Sequence, residues 1–394
     1  MPSLLLPGHT SEPGPEPLPT PPPNFVLNAV FALRRLLLRL ADLVVPAHLA
    51  MFEQSTGIAR THTLGAVARH RLVDHLGDEA LTSEELARRA HVDPDATHRV
   101  MRALVGVGIF SMDADGRFRN NRLSRALATG TLERGRDWVE YYSSASHALA
   151  WADFARTLQT GSSAFDRVHG MTTWEWFERN PDERETFAHA MMGLTVNQAP
   201  LVAARYPFEE VETVCDLGGG RGTLLSELLV RHPHLRGTLV DAEGVLESAR
   251  SLLERRGVAS RVAFVPCNFF EDPIPPGADL YILKNVLHDW DDARCEHILR
   301  NCRRGMPSGT RLVIVESLVE RHDTVGIGPL SDVQMMVSCS DGRERSREEL
   351  EGLLTRTGFT PSRLFESPII SIIEGIASED ASSRAPDAVP LRKA

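Results

Sequence analysis

No C-x-x-C pair occurs among the five cysteines, Cys215, Cys267, Cys295, Cys302 and Cys339, and no other spacing matches a zinc site. That argues against a metal centre built on cysteine and leaves reduced, mostly structural thiols, which suit a cytoplasmic protein. Positive charge is also short. Against 53 Asp and Glu stand 43 Lys and Arg, a formal net charge of -10. Such a chain does not hold nucleic acid by bulk electrostatics, although a local basic groove is compatible with it. No long apolar run escapes charge. The stretch 25–45 is the most apolar, yet Arg34, Arg35, Arg39 and Asp42 make a membrane span costly. An amphipathic helix packed on a partner or on the rest of the fold is expected there instead. Leu4, Leu5 and Leu6 have no positive segment ahead of them, so no secretory signal is expected. Aromatic residues make up 6% of the chain, too few to outline a ligand pocket. No internal repeat is visible.

What is present describes an ordinary globular chain. Hydrophobic residues make up 42%, enough for a large core, and 394 residues imply two domains. Residues 1–24 are crowded with proline, including Pro21, Pro22 and Pro23, and are expected as a disordered leader that buries almost nothing. Residues 377–394 are expected as a flexible tail. Between them lie a mainly helical domain, 25–202, and a second domain, 203–376. In the first, Thr82 or Ser83 opens a capping-box pattern and Leu86, Ala87 and Ala90 continue a helix. A turn at Val92-Asp-Pro-Asp95 starts a second helix, lined by Val100, Leu104 and Val107. Asp115-Gly116, flanked by Phe110 and Phe118, signals a hairpin. Helix, turn, helix, hairpin is a winged-helix outline.

The second domain changes rhythm. Strands are expected at 211–217, 237–241, 262–265, 278–284 and 311–316, with closing strands near 362–366 and 369–374. Helices are expected at 245–256, 291–304 and 347–357. Alternating strands and helices imply an α/β, doubly wound, mostly parallel sheet. Ligands bind such sheets at the carboxyl ends of the strands, near the point where strand order reverses.

Two motifs fall there. Val214-Cys-Asp-Leu-Gly-Gly-Gly-Arg-Gly222 puts Asp216 at a strand end and Gly218, Gly219, Gly220 and Gly222 in a turn that lets the backbone approach a ligand. Asp241 ends the next strand, where a carboxylate can accept from both hydroxyls of a ribose. A dinucleotide fold has similar parts. The G-x-G-x-G spacing, and the acid directly before the turn, favour a cationic amino-acid ligand such as a methyl donor over a pyrophosphate. The second motif, Leu283-Lys-Asn-Val-Leu-His-Asp-Trp290, places His288 and Asp289 after the fourth strand. Methyl transfer from a sulfonium is an in-line displacement that requires alignment and removal of one proton. A phenol of pKa ~10 is about one part in a thousand ionised at pH 7, a deficit of about 4 kcal/mol. A histidine base supplies ~10²–10⁴-fold. Its orienting partner is Glu316, ending the fifth strand, or Glu344, in Ser340-Asp-Gly-Arg-Glu-Arg-Ser346.

Taken with Phe165-Asp-Arg-Val-His-Gly170, Trp174, Trp176, Phe187-Ala-His-Ala-Met191, Val315-Glu316 and Arg343-Glu-Arg-Ser346, these blocks resemble the small-molecule O-methyltransferases related to the plant caffeate and hydroxyindole enzymes, with many bacterial natural-product members. The resemblance covers roughly residues 40–375. It implies a class I methyltransferase, Rossmann-like sheet of seven strands and an N-terminal helical, winged-helix domain that forms a homodimer. It implies S-adenosylmethionine as cofactor, no metal, and a phenolic or enolic small-molecule acceptor, with neither nucleic acid nor membrane as partner. By resemblance His288 is the general base, Glu316 and Glu344 flank it, and Asp289 sits beside it. Asp216, Gly218, Gly220, Asp241, Asn268, Phe269 and Lys284 fall at cofactor positions, and Phe187, Met191 and Met335 at acceptor positions. The chain departs from the family twice. Asp241-Ala-Glu243 stands where the family has Asp-Leu-Pro, and Asn268 stands where it has an acid.

Three other readings compete. A member drifted toward hydroxylation would keep the cofactor as a spectator. A DNA-binding regulator would use His98, Arg99 and Arg102 on the helix 96–105 as phosphate contacts. A dinucleotide-dependent oxidoreductase would use the glycine turn.

Overall fold

Of the two capping candidates, Thr82 is the one used. Its hydroxyl accepts from the Glu85 N–H at 3.2 Å, and the Glu85 carboxylate accepts from the Thr82 N–H at 2.8 Å. Helix Ser83–Ala90 follows. Asp93 caps helix Pro94–Gly106, whose Pro94 occupies a first-turn position where a missing N–H costs nothing. Strands β1 (Phe110–Met112) and β2 (Phe118–Asn120) then pair antiparallel across the Asp115-Gly116 turn. The computed structural model describes residue 14 and residues 16–320 and 328–379.

These elements belong to a first unit that gathers residues 29–148 and 181–194. Leu86, Met101, Leu104, Phe110 and Phe118 are all buried and close its core with Val67 and Leu76. On the helix proposed above as a phosphate reader, Arg99 pairs with Asp95 of its own helix at 3.8 Å, and both are largely exposed. His98 rests edge-on against Phe118. Nearer the N-terminus, helices Asn24–Leu43 and Ala47–Ser55 present large apolar side chains to solvent: Leu36, Leu37, Leu40, Met51 and Phe52 are 49–69% exposed. Among the described residues no helix is long and apolar enough to cross a membrane.

The second unit collects the described residues of 13–28, 149–180 and 195 onward. This division differs from the expected break after residue 202, because residues 149–180 pack with the sheet-bearing unit. There Phe165 is buried among Trp176, Trp151 and Val337. Strands β3 (Thr213–Leu217), β4 (Arg236–Asp241), β5 (Val262–Pro266), β6 (Leu280–Lys284), β7 (Arg311–Glu316), β8 (Phe359–Phe365) and β9 (Ser371–Ala377) form one sheet, in the order β5-β4-β3-β6-β7-β9-β8. The first five run parallel, and β9 is antiparallel to both β7 and β8. Strands covered on both faces read as continuous apolar runs, as in Leu280-Tyr-Ile-Leu283, whose side chains are fully buried. The order reverses between β3 and β6, so the crevice opens where these two strands end. The closing pair is longer than expected and slips register between Pro361 and Leu364. Helix Gly328–Ser338 was not anticipated; its mixed sequence carries no clean periodicity.

The leader also differs from expectation. Leu18 is buried, and its N–H donates to both Glu227 carboxylate oxygens at 3.1 Å. Arg256 donates to the Gly14 and Glu16 carbonyls at 2.7 Å. The proline-rich segment is therefore held by its backbone, a mode of attachment that hydropathy does not reveal. At the other end β9 runs to Ala377, which is buried. The rest of the expected leader and of the tail, residues 1–13, 15 and 380–394, lies outside the described residues.

Candidate active site

Both motifs reach the carboxyl ends of β3 and β6, whose register pairs Leu217 with Leu283. After β3 the chain turns at Gly218, Gly220 and Gly222, with φ of 68°, 58° and 73°. These are left-handed values that a side chain resists. Gly219 is required for a different reason: a Cβ there would lie 2.4 Å from Leu239 Cδ1 and 2.6 Å from Asp216 Oδ2. Asp241, ending β4, accepts from the Gly220 N–H and from the Ala242 N–H, both at 2.8 Å and on different oxygens. Each oxygen keeps a lone pair for a ligand. Phe269 lies beside the turn, 3.7 Å from where a Gly218 Cβ would sit.

Asp216 is buried, and its Oδ2 has no hydrogen-bond partner among the described residues. Burial pushes its carboxyl up to about 7, against the pull of the Lys284 ammonium. Lys284, ending β6, is lowered to about 8 by burial, with Asp216 and Glu316 opposing the drop. Its Nζ donates to Thr195 at 3.1 Å. Asn268 is exposed; its Oδ1 accepts from the Phe270 N–H at 3.1 Å, so one lone pair and the amide NH₂ stay available. Ala242 offers no capping side chain to helix Glu243–Arg255, and Glu243 instead puts an acid in its first turn.

His288 stands on the 3₁₀ turn Leu287–Asp289 that follows β6. Its Nδ1–H donates to Glu344 Oε1 at 3.2 Å, while Nε2 lies 3.6 Å from Asp289 Oδ1, beyond hydrogen-bond length. Glu316 bonds the backbone of the turn instead. Its Oε1 accepts from the backbone N–H groups of Leu287 (2.8 Å) and His288 (3.1 Å). The two acids thus orient different parts of the residue. Glu344 fixes the ring, and Glu316 fixes the backbone that carries it. Burial opposes charge on the imidazole, yet Asp289 and then Glu344 outweigh it and push His288 up to about 10. Burial raises Glu316 to about 7 and also raises Asp289. At neutral pH the resting imidazole therefore holds its proton.

Three positions acquire roles that the motifs did not announce. Ser331 donates to Glu344 Oε1 at 2.7 Å, and Asp332 accepts from the Glu344 N–H at 2.9 Å. Both sit on the unanticipated helix. Cys339 Sγ lies 3.5 Å from Asp289 Oδ1. All five cysteines are free and buried, and burial keeps Cys295 and Cys302 at about 12, so they are protonated.

Comparison with known proteins decides the family. The O-methyltransferase domain matches residues 151–360, and the O-methyltransferase dimerisation domain matches residues 52–130. The chain belongs to the O-methyltransferase family. A phenazine O-methyltransferase of Lysobacter antibioticus is 32% identical, covering 84% of this chain and 96% of that one. The aclacinomycin 10-hydroxylase of Streptomyces purpurascens is 34% identical, covering 75% and 80%. A solved O-methyltransferase from neocarzinostatin biosynthesis, in complex with S-adenosylmethionine and 2-hydroxy-5-methyl naphthoic acid, superposes with a TM-score of 0.69 at 29% identity, covering 81% of this chain and 96% of that one.

In this O-methyltransferase the residues expected at the base and cofactor positions gather in the second unit. Of the three acceptor candidates, Met335 lies in that unit, half-buried on helix Gly328–Ser338. Phe187 and Met191 lie in the first unit, on helix Pro181–Arg205, where Phe187 packs against Tyr141 at 5.3 Å.

The carboxylates around His288 generate one prediction. Followed by ring NMR, the imidazole is expected to titrate well above pH 7 in the wild type, and at lower pH in both Asp289→Asn and Glu344→Gln. A wild-type midpoint near 6.5, unmoved by either substitution, would contradict the electrostatics described.

Proposed function

We propose that this chain transfers a methyl group from S-adenosylmethionine to a phenolic or enolic hydroxyl of a small molecule, a secondary metabolite, with His288 as general base. The observation that carries this reading is the anchored imidazole: Nδ1 fixed by Glu344, Nε2 without a hydrogen bond among the described residues, on a turn at the strand end beside the glycine bend. The cradle fits the cofactor. Asp216 offers a buried oxygen with no partner among the described residues to an α-ammonium, Asp241 offers spare lone pairs to ribose hydroxyls, and the absent Cβ atom at Gly218 leaves room beside Phe269. When bound, S-adenosylmethionine supplies an electrophilic methyl group on a sulfonium.

The chain's own residues then have one proton to manage. An imidazole raised to about 10 matches the basicity of a phenol, ~10, so transfer between them is close to thermoneutral. Imidazole with phenol, and imidazolium with phenolate, are the same proton count, one proton below the resting pair. Glu344 stabilises the imidazolium that forms, and Glu316 keeps its backbone in place. The acceptor contacts of Phe187, Met191 and Met335 rest on family resemblance alone. The dimerisation domain, together with the exposed Leu36, Leu37 and Leu40, supports a homodimer, and the absence of metal from the reaction follows from the same resemblance.

Hydroxylation is the second reading, favoured by the hydroxylase relative and by Asn268 in place of an acid. Retention of His288, Glu316 and Glu344 favours methyl transfer.

Mass spectrometry of phenols and enols incubated with S-adenosylmethionine is expected to show gain of one methylene unit; gain of one oxygen instead would establish hydroxylation. On such an acceptor, His288→Ala should lose ~10²–10⁴-fold in turnover while still binding S-adenosylhomocysteine. Because the resting pair must lose one proton, kcat/KM should climb roughly tenfold per pH unit between pH 7 and 9; a profile flat over that range would refute the proton count. Calorimetry should find S-adenosylhomocysteine bound more weakly at pH 6 than at pH 8, since Asp216 is protonated below about 7 and loses its charge. Equal affinity at both would remove Asp216 from the ammonium site. Sedimentation at micromolar concentration should give a dimer, and a monomer would count against the role given to the N-terminal helices.

A further inference from the structure

The turn that carries His288 is gripped from two sides. Glu316 accepts from its N–H groups. Two of its carbonyls, those of Leu287 and Trp290, are held by Arg345, which is fully buried, and also accept from the Cys295 thiol at 3.1 and 3.5 Å. Arg345 Nη1 donates to the Leu287 carbonyl at 2.8 Å, and Nη2 donates to the Trp290 carbonyl at 2.7 Å. Nε and Nη2 also reach Asp292 Oδ1 at 3.0 and 2.9 Å. The two carbonyls bracket His288 and Asp289. The carbonyl of His288 itself accepts from the Arg343 N–H at 2.8 Å, and a Cβ on Gly342 would come within 2.8 Å of it. The segment supplying Arg345 also supplies Glu344, its immediate neighbour, which holds the ring.

We infer that Arg345 is a positioning residue for His288: its guanidinium locks the carbonyl side of the turn while its neighbour Glu344 locks the imidazole, so that backbone and ring are registered by one short segment. The inference rests on the general-base reading of His288. A planar fork of donors suits this role because it can meet two carbonyls and a carboxylate at fixed angles. An ammonium offers a point charge on a flexible stem and does not. Complete burial of a permanent charge is costly unless every donor has a partner. A hydrophobic side chain of similar length would fill the same space without that cost, so filling space does not account for an arginine at this position. Small displacements matter here, since an error of about 1 Å in a catalytic group costs ~10²-fold.

The test compares Arg345→Lys and Arg345→Met with wild type in the full-length protein, and adds Arg345→Ala with guanidinium at sub-denaturing concentration. Arg345→Lys and Arg345→Met are expected to lower kcat by roughly 10- to 100-fold. The acceptor KM and the affinity for S-adenosylhomocysteine should stay within about threefold. Free guanidinium should restore part of the lost turnover in Arg345→Ala. Ring NMR should show a slowly exchanging His288 Nδ1–H in wild type that broadens or vanishes in the variants. That arm needs no acceptor, so it separates failure of this inference from failure of the methyl-transfer reading. Loss of thermal stability with unchanged kcat and an unchanged His288 ring signal would overturn the inference. If the Arg345 variants do not fold, Asp292→Asn serves in their place, because its half-exposed carboxylate loosens the guanidinium without emptying the core. A few-fold loss of kcat with the same ring broadening supports the inference, and an unaffected ring signal overturns it.

Discussion

One imidazole stands among three carboxylates in a space that excludes most water, and the chemistry of the site follows from that imbalance. Burial alone would drive His288 toward its neutral form. Asp289 and Glu344 reverse this and make it a base as strong as the hydroxyl it is proposed to deprotonate. Burial raises Glu316 and Asp289, and the Glu344 carboxylate beside them adds to the rise. Within this cluster the imidazole is held by hydrogen bonds through both ring and backbone.

The sheet supplies the precision. Glu316 ends β7, and His288 follows β6, its parallel neighbour, so the register of two strands sets the distance between carboxylate and turn. Asp216, one residue before the end of β3, lies on the other side of β6, and the reversal of strand order between them leaves the glycine bend open. A doubly covered sheet thus carries the proposed cofactor cradle and the proposed base on adjacent strand ends, and side-chain contacts make the fine adjustment. The family's usual Asp-Leu-Pro and acid are replaced without loss of this frame. Glu243 takes over the helix start, and Asn268 keeps one acceptor lone pair.

Much of this was legible in advance where the signal is local. A capping box at Thr82 or Ser83, the hairpin at Asp115-Gly116, the seven strands and the alternation that makes the sheet mostly parallel all follow from short-range pattern, since periodicity reports which side of an element is buried. What escaped is non-local. Residues 149–180 read as one more helical stretch, yet they pack with the sheet-bearing unit. Leu18 looked like part of a loose leader, yet it is held by Glu227 more than two hundred residues away. Helix Gly328–Ser338, which supplies Ser331 and Asp332 to Glu344, has no stripe to betray it.

The sequence by itself determined the residue types and their order: glycines where the backbone must take positive φ, an acid before them, a histidine after the fourth strand of a parallel sheet, and two glutamates downstream. These choices are covalent and local, and they sufficed to indicate the family. Only the tertiary structure decided how the roles divide. Glu344 bonds the ring and Glu316 bonds the backbone, a buried arginine closes the other side of the turn, and the imidazole becomes far more basic than a free histidine. Those outcomes depend on distance and on exclusion of water, quantities that exist only once strands remote in the chain lie side by side.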